Sequence, residues 1–176
     1  MGSEMCIRDS RNALAVGLAM IRLIDPQESV RRLAIALIPE TAEGTGKWLC
    51  VWQRDRKCFD FVSATHERED SPRESLLAEV CASLSLAKRD ILVSSMAQLN
   101  LEFELSVPSQ SAPTRVAVAF YHVFMYRQAA METLAQLTDI RWLIASELLG
   151  GETSDGYAVS HELHQMLVKS DVIPSW

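Results

Sequence analysis

Acidic side chains and one histidine cluster around a stretch that the sequence predicts to be a loop followed by a helix. They are His66, Glu67, Glu69, Asp70, Glu74 and Glu79. Carboxylate oxygens are the ligands that Mg²⁺ prefers, so this stretch could support metal-assisted hydrolysis. On the helix face of Glu79, however, the residues three and four positions further on are Ala82 and Ser83. A lone exposed carboxylate binds magnesium poorly, so other ligands would have to come from elsewhere in the chain.

Three further carboxylates could supply those ligands from other predicted strands and loops. They are Glu102, Glu104 and Glu147. The alternative for each of them, and for the charged residues of the loop, is an ordinary solvated surface charge.

The helix that would position Glu79 is predicted over residues 71–84. Ser71 can accept hydrogen bonds from the free backbone N–H groups, Pro72 suits the first helical position, and Glu74 can complete a capping box. An apolar stripe at helical spacing predicts a buried face. Its members are Leu76, Leu77, Val80 and Leu84, with Cys81 beside them.

The rest of the chain predicts an α/β sandwich, with helices on both sides of a sheet. Strands are expected near 31–38, 47–53, 58–62, 90–96, 99–106, 115–126 and 141–144. Helices are expected over 129–137 and 160–169, and a polar loop over 63–70. Residues 11–24 form either a short helix or a first strand.

The loop–helix of residues 64–86 resembles the Nudix box. That pattern is Gly, five residues, Glu, seven residues, Arg-Glu-aliphatic, one residue, Glu-Glu, one residue, Gly-aliphatic. Glu79, Val80 and Leu86 match it, and Asp70 is a conservative replacement for the first Glu. The remaining positions are occupied by Ala64 and Ser85 for the two Gly, Ala78 for the Arg, and Ala82 and Ser83 for the Glu pair.

The resemblance extends over roughly residues 30–170, carried by the order and spacing of the predicted strands and helices. It implies a Nudix-type α/β/α sandwich with a mixed sheet. It also implies hydrolysis of a diphosphate linked to a nucleoside, with Mg²⁺ or Mn²⁺ as cofactor. Because the Glu pair and the Arg are replaced, we expect a domain with weak or lost hydrolase activity that binds a nucleoside-diphosphate-linked ligand or acts as an interaction module. If it is non-catalytic, no cofactor is expected.

The alternative is an active, divergent Mg²⁺-dependent pyrophosphohydrolase. It would use Glu79 and Asp70 as catalytic residues, and Glu79, Asp70 and Glu74 as metal ligands.

Basic residues offer a candidate site for the phosphates of such a ligand. Arg54 and Arg56, with Lys57, form the densest small basic cluster, and His66 lies in the loop before the helix. The alternative for the arginines is a solvated hairpin turn. The net charge of −6 argues against a surface that binds duplex nucleic acid. The expected partner is therefore a small nucleotide-type ligand, and a homodimer is left open.

Length and composition predict one cytoplasmic domain. Residues 1–10 resemble a translated adapter sequence and are expected to be a non-native leader, which leaves one Nudix-like domain over 11–176. The four cysteines form no zinc-binding spacing, and those at 50, 58 and 81 are expected to be buried thiols in a reducing compartment. No apolar run is long enough to cross a membrane, and no export signal is predicted.

Overall fold

The computed structural model describes residues 30–41, 46–106 and 113–173. Nine strands follow one another within these ranges. They are β1 Arg31–Leu37, β2 Lys47–Gln53, β3 Cys58–Asp60, β4 Ser63–Thr65, β5 Ile91–Val93, β6 Leu99–Leu105, β7 Thr114–Met125, β8 Ile140–Ile144 and β9 Ala158–Val159. The described helices are α1 Pro72–Ser83, α2 Gln128–Leu134, α3 Ala145–Gly150 and α4 His161–Ser170, with a 3₁₀ turn at Lys88–Asp90.

A five-stranded mixed sheet has the order β4-β1-β7-β5, with β6 also paired to β7. Strands β1 and β7 are parallel, and the other pairings are antiparallel. Strand β4 lies at one end of this order, so its outer edge is free among the described strands. The four strands of the second sheet have the order β8-β2-β3-β9.

Two hydrophobic cores lie on opposite faces of the mixed sheet, because neighbouring residues of a strand point to opposite sides. On β1, Leu33, Ile35 and Leu37 belong to the core that packs against the second sheet and α4. Ala34 and Ala36 belong to the core that also contains the buried residues of α1 and α2. The predicted α/β sandwich with a mixed sheet is therefore confirmed.

Helix α1 forms where the sequence predicts it. The Ser71 hydroxyl accepts a hydrogen bond from the Glu74 amide at 3.4 Å, and Pro72 occupies the first turn. The side chain of Glu74 forms an ion pair with Arg73 at 2.8 Å. Leu76, Val80 and Leu84 are fully buried, which confirms the predicted apolar stripe, whereas Leu77 and Cys81 are half-buried.

Several predicted boundaries differ from the structure. The strand expected over 58–62 ends at Asp60, and part of the expected loop forms β4 by pairing with β1. The strand expected over 90–96 is a 3₁₀ turn followed by the short β5. Helix α2 covers 128–134 rather than 129–137. The short strands β4 and β5 form by pairing with β1 and β7, which local periodicity does not show.

The predicted leader at 1–10 and the element predicted over 11–24 lie outside the described residues. Cys50 and Cys58 are buried as predicted, whereas Cys81 is half-buried, and all three are free thiols. Burial raises the pKa of the Cys50 thiol well above its ordinary value. None of the helices in the described ranges is long and apolar enough to span a membrane.

Candidate functional site

A groove of about 480 Å³ lies between α1 and the edge strand β4. We call it the box groove. Its lining consists of Arg31, Leu33, Ser63, Ala64, Thr65, Ser75, Ala78, Glu79 and Ala82. The four residues from α1 share one helix face, because they are spaced by three and four positions. Most of the lining side chains are small, so this face of α1 leaves an open depression beside the sheet.

Glu79 is the one carboxylate of the box groove. Its Oε1 atom accepts a hydrogen bond from the Ser83 hydroxyl at 2.7 Å. Ala82 lies between Glu79 and Ser83 in the sequence. It also lines the groove and contributes only a methyl group. The helix face thus presents one carboxylate, already hydrogen-bonded, with no acidic neighbour on the same face.

Arg31 provides the positive charge in the box groove. Its Nη1 atom lies 3.1 Å from Glu162 Oε2 at the start of α4, and 44% of the Arg31 side chain is exposed. A guanidinium has five N–H donors, so one contact with Glu162 leaves others for a ligand. The first residue of β1 therefore brings a fixed cation to the groove.

The register of β4 directs backbone donors to its free edge. The Ala36 amide donates to Val62 O, and the His66 amide donates to Arg32 O. In an antiparallel pair the hydrogen-bonded positions alternate, so the N–H groups of Ser63 and Thr65 point away from β1. Both residues line the box groove and are exposed.

The structure does not bring the three predicted metal ligands together. Asp70 lies before α1, where its Oδ2 atom accepts a hydrogen bond from the Glu67 amide at 3.0 Å. Glu74 pairs with Arg73. Glu74 and Glu79 are five positions apart on α1, which separates them by about 140° around the helix. Of the three, only Glu79 lines the box groove.

Two of the three carboxylates that could supply the missing ligands have other partners. Glu102 pairs with Arg115 at 3.5 Å. Glu147 accepts hydrogen bonds from the amides of Ser154 and Ile144 at 2.8 and 3.2 Å. Partial burial opposes ionisation of Glu147, but these amides hold its pKa below the ordinary value. Across the described ranges, no group of three or more His, Cys, Asp or Glu side chains could hold a metal ion.

The two predicted ligand-binding arginines lie in the β2–β3 turn and do not line the box groove. Arg54 forms an ion pair with Asp139 at 2.7 Å, and Arg56 forms one with Asp60 at 2.8 Å. Asp60 is largely buried, and its burial raises the pKa of the carboxyl despite the hydrogen bonds from Arg56, Ser160 and the Phe61 amide. Both arginines therefore pair with carboxylates on or beside the second sheet.

His66 lines a second groove of about 370 Å³. We call it the alanine-floored groove, because Ala117 and Ala119 lie between its polar side chains. The other lining residues are Arg32, Leu33, Pro72, Asn100, Leu101, Glu102 and Val118. His66 Nδ1 lies 2.9 Å from Glu67 O, a contact that requires the proton on Nδ1. Arg31 and Arg32 line different grooves, because the side chains of successive residues of β1 point to opposite faces of the sheet.

Comparisons with known proteins were made on sequence and on structure. No family model and no curated protein matches the sequence. The structure is similar to the C. elegans Ap4A hydrolase, with a TM-score of 0.50 and 11% identity over 80% of this chain and 95% of that chain. It is also similar to Shewanella oneidensis NrtR, with a TM-score of 0.51 and 11% identity over 78% of this chain and 60% of that chain.

The chain has a Nudix fold. Identities of this size show the fold alone. Helix α1 and the loop before it form the segment on which the resemblance to the Nudix box rests. Ser85, which replaces the last Gly of the box, has a φ of 54°. The Leu86 amide donates to Cys81 O at 3.0 Å, which closes the helix in the way that a C-terminal glycine usually does. The helix therefore ends with a left-handed residue at Ser85, the position at which the Nudix box pattern has its last Gly.

Sequence reasoning missed four polar residues of the box groove: Arg31, Ser63, Thr65 and Ser75. Ser75 could have been found, because it lies four positions before Glu79 on the same helix face. The other three depend on the pairing of β4 with β1, which brings together residues about thirty positions apart in the chain.

Proposed function

We propose that this protein is a non-hydrolytic Nudix-fold module that binds a nucleoside-diphosphate-linked ligand. The observation that carries the proposal is the Ser83–Glu79 hydrogen bond of 2.7 Å beside Ala82, at the positions where the box has carboxylates. One carboxylate in the groove remains, and a serine hydroxyl already occupies one of its oxygens.

In the absence of a bound phosphate, the described residues of the box groove do not supply enough ligands to hold a divalent metal ion. Mg²⁺ requires oxygen ligands at about 2.0–2.1 Å in octahedral geometry and is usually held by one or two carboxylates together with substrate phosphates. Among the described residues that line the groove, Glu79 is the only acidic one. The nearby carboxylates of Asp70 and Glu74 have hydrogen-bond or ion-pair partners of their own. We therefore derive no metal-dependent step for this chain.

Retention of an open groove supports binding in the absence of hydrolysis. Its volume of about 480 Å³ lies in the range of small-molecule sites. Hydroxyl groups, backbone amides and a guanidinium line it, and these are groups that recognise a polar, anionic ligand. A structural or interaction module would leave this groove without a ligand. A measurement of ligand binding therefore distinguishes such a module from one that binds a nucleotide-type ligand.

The proposal does not extend to duplex DNA. NrtR was crystallised with a 27mer DNA, and this chain covers 58% of that chain. DNA binding depends on cationic side chains that neutralise phosphates, whereas this chain has a net charge of −6.

We place the protein in the reducing cytoplasm. The free thiols of Cys50, Cys58 and Cys81 support that location, because disulfides form mainly in oxidising compartments.

The proposal is tested by incubating the protein with ADP-ribose and Ap4A in Mg²⁺ or Mn²⁺ and separating the products by chromatography. Glu79→Gln is assayed beside the unsubstituted protein. We expect no metal-dependent cleavage above the background of Glu79→Gln. Cleavage by the unsubstituted protein that Glu79→Gln abolishes would establish the alternative, an active divergent hydrolase.

A further inference from the structure

We infer that the box groove binds the phosphate groups of its ligand directly, with Arg31 taking the place of the divalent cation. This inference rests on the proposed function and names the residues that would carry it. Arg31 is the positively charged residue among the described residues that line the groove. Its Nη1 atom forms an ion pair with Glu162 Oε2 at 3.1 Å.

The absence of the Glu pair and the presence of Arg31 both favour the binding of a phosphate without a metal ion. A cluster of glutamates repels a diphosphate unless a metal ion lies between them, because like charges at short distance raise the free energy of the complex. At the Glu-pair positions of the box, Ala82 and Ser83 carry no charge, and Glu79 is the one acidic side chain among the described residues that line the groove. A phosphate can therefore approach this face of α1 without a metal ion.

Neutral donors complete the site around Arg31. The hydroxyl groups of Ser63, Thr65 and Ser75 line the groove, and the amides of Ser63 and Thr65 point to the free edge of β4. Phosphate oxygens accept hydrogen bonds from hydroxyl, amide and guanidinium groups, and those from the charged guanidinium are the strongest. Glu79 accepts hydrogen bonds and suits the hydroxyl groups of a ribose.

The chain contains a matched control for Arg31. Arg32 is its neighbour on β1, has the same charge and lines the alanine-floored groove instead of the box groove. Arg31→Gln and Arg32→Gln change the net charge equally, so any difference between them reports the groove that holds the ligand. Arg31→Lys keeps the charge and removes the planar fork of donors.

The experiment is calorimetric titration of ADP-ribose into each variant in EDTA, with adenosine as the ligand that lacks phosphates. Thermal denaturation first establishes that every variant is folded. We expect ADP-ribose to bind without metal, and Arg31→Gln to weaken binding roughly 10- to 100-fold, the effect of losing a hydrogen bond to a charged group. Arg32→Gln should change affinity by less than about threefold, because an exposed charge outside the site contributes little. Adenosine should bind Arg31→Gln and the unsubstituted protein equally.

Three other outcomes of the titrations would each contradict a specific claim about the site. If ADP-ribose binds in EDTA but Arg32→Gln weakens binding and Arg31→Gln does not, the ligand lies in the alanine-floored groove and this inference is wrong, while the proposed function stands. If binding requires Mg²⁺, Arg31 does not take the place of the cation. If ADP-ribose binds under neither condition, the proposed function itself is wrong.

Discussion

Ser83 donates its hydroxyl hydrogen to Glu79 Oε1 at 2.7 Å across one turn of α1. The Nudix box pattern has further glutamates on this helix face. Here the face has one carboxylate, Glu79, and its hydrogen-bond partner lies on the same helix. The chain has a Nudix fold, and a groove of about 480 Å³ lies beside this helix face.

Restoring the Glu pair should create a metal site. In Ala82→Glu/Ser83→Glu, the new carboxylates lie three and four positions after Glu79 on the same helix face. We expect the affinity for Mn²⁺ to rise at least about tenfold over that of the unsubstituted protein, because each added carboxylate supplies charge and a ligand oxygen. Calorimetric titration with Mn²⁺ measures the change.

A control for added charge is Gln128→Glu/Ala129→Glu. Both residues are exposed in the first turn of α2, away from the grooves. This variant carries the same extra charge and should bind Mn²⁺ no better than the unsubstituted protein. Equal gains in the two variants would show that the face of α1 has no special geometry for a metal ion.

Replacing Ser85 by glycine should stabilise the protein. Ser85 has a φ of 54°, in the left-handed region that costs a residue with a Cβ atom free energy. After the entropic cost of glycine in the unfolded chain, we expect a gain of roughly 0.5 to 1 kcal/mol in the free energy of unfolding. Urea denaturation measures it. Ser95→Gly, at an exposed bend with no positive φ, should give no gain.

Packing of α1 on the sheet should depend far more on Leu76 than on its neighbour. Leu76 is fully buried, whereas Leu77 is half-buried. Leu76→Ala should lower the free energy of unfolding by about 2 to 5 kcal/mol, since it leaves a cavity. Leu77→Ala should cost less than half as much. Similar losses in urea denaturation would mean that α1 presents a different face to the core.

Asp60 should make stability depend on pH. Its folded-state pKa is raised by burial, so between the unfolded pKa of about 3.9 and the folded value the folded state binds more protons. Stability contributed by this group is therefore full below the unfolded pKa and falls as pH rises to the folded pKa. Asp60→Asn lacks this titration.

The measurement for Asp60 is the free energy of unfolding of both proteins from pH 3.5 upwards. The unsubstituted protein should lose stability relative to Asp60→Asn with a slope of at most about 1.4 kcal/mol per pH unit, and the difference should then become constant. A difference that grows in favour of the unsubstituted protein as pH rises would show that Arg56 outweighs the burial of Asp60.

Much of the fold could be predicted because its signals are local. The cap at Ser71 and Pro72 and the apolar spacing of Leu76 and Val80 determine α1 within a few residues of sequence. Strand β1 also matches its prediction closely, because its run of apolar residues is buried on both faces of the sheet. Strand β4 was missed because Ser63-Ala-Thr65 has little strand signal of its own and forms by pairing with β1.

The candidate site could be predicted only in part, because several of its contacts join residues that are far apart in the chain. Glu79 follows from its place on a predicted helix, and the Ser83–Glu79 pair follows from their spacing. The roles of Arg54 and Arg31 depend on Asp139 and Glu162, residues 85 and 131 positions away in the chain. Such ion pairs are set by the tertiary fold, and no local pattern shows them.

The most direct test of the central claim is ³¹P NMR of ADP-ribose mixed with the protein in Mg²⁺, since one series of spectra reports binding and cleavage together. We predict that the two diphosphate resonances shift or broaden and then persist without change, because the ligand binds and stays intact. Their replacement by phosphate monoester resonances, in the unsubstituted protein but not in Glu79→Gln, would contradict the account.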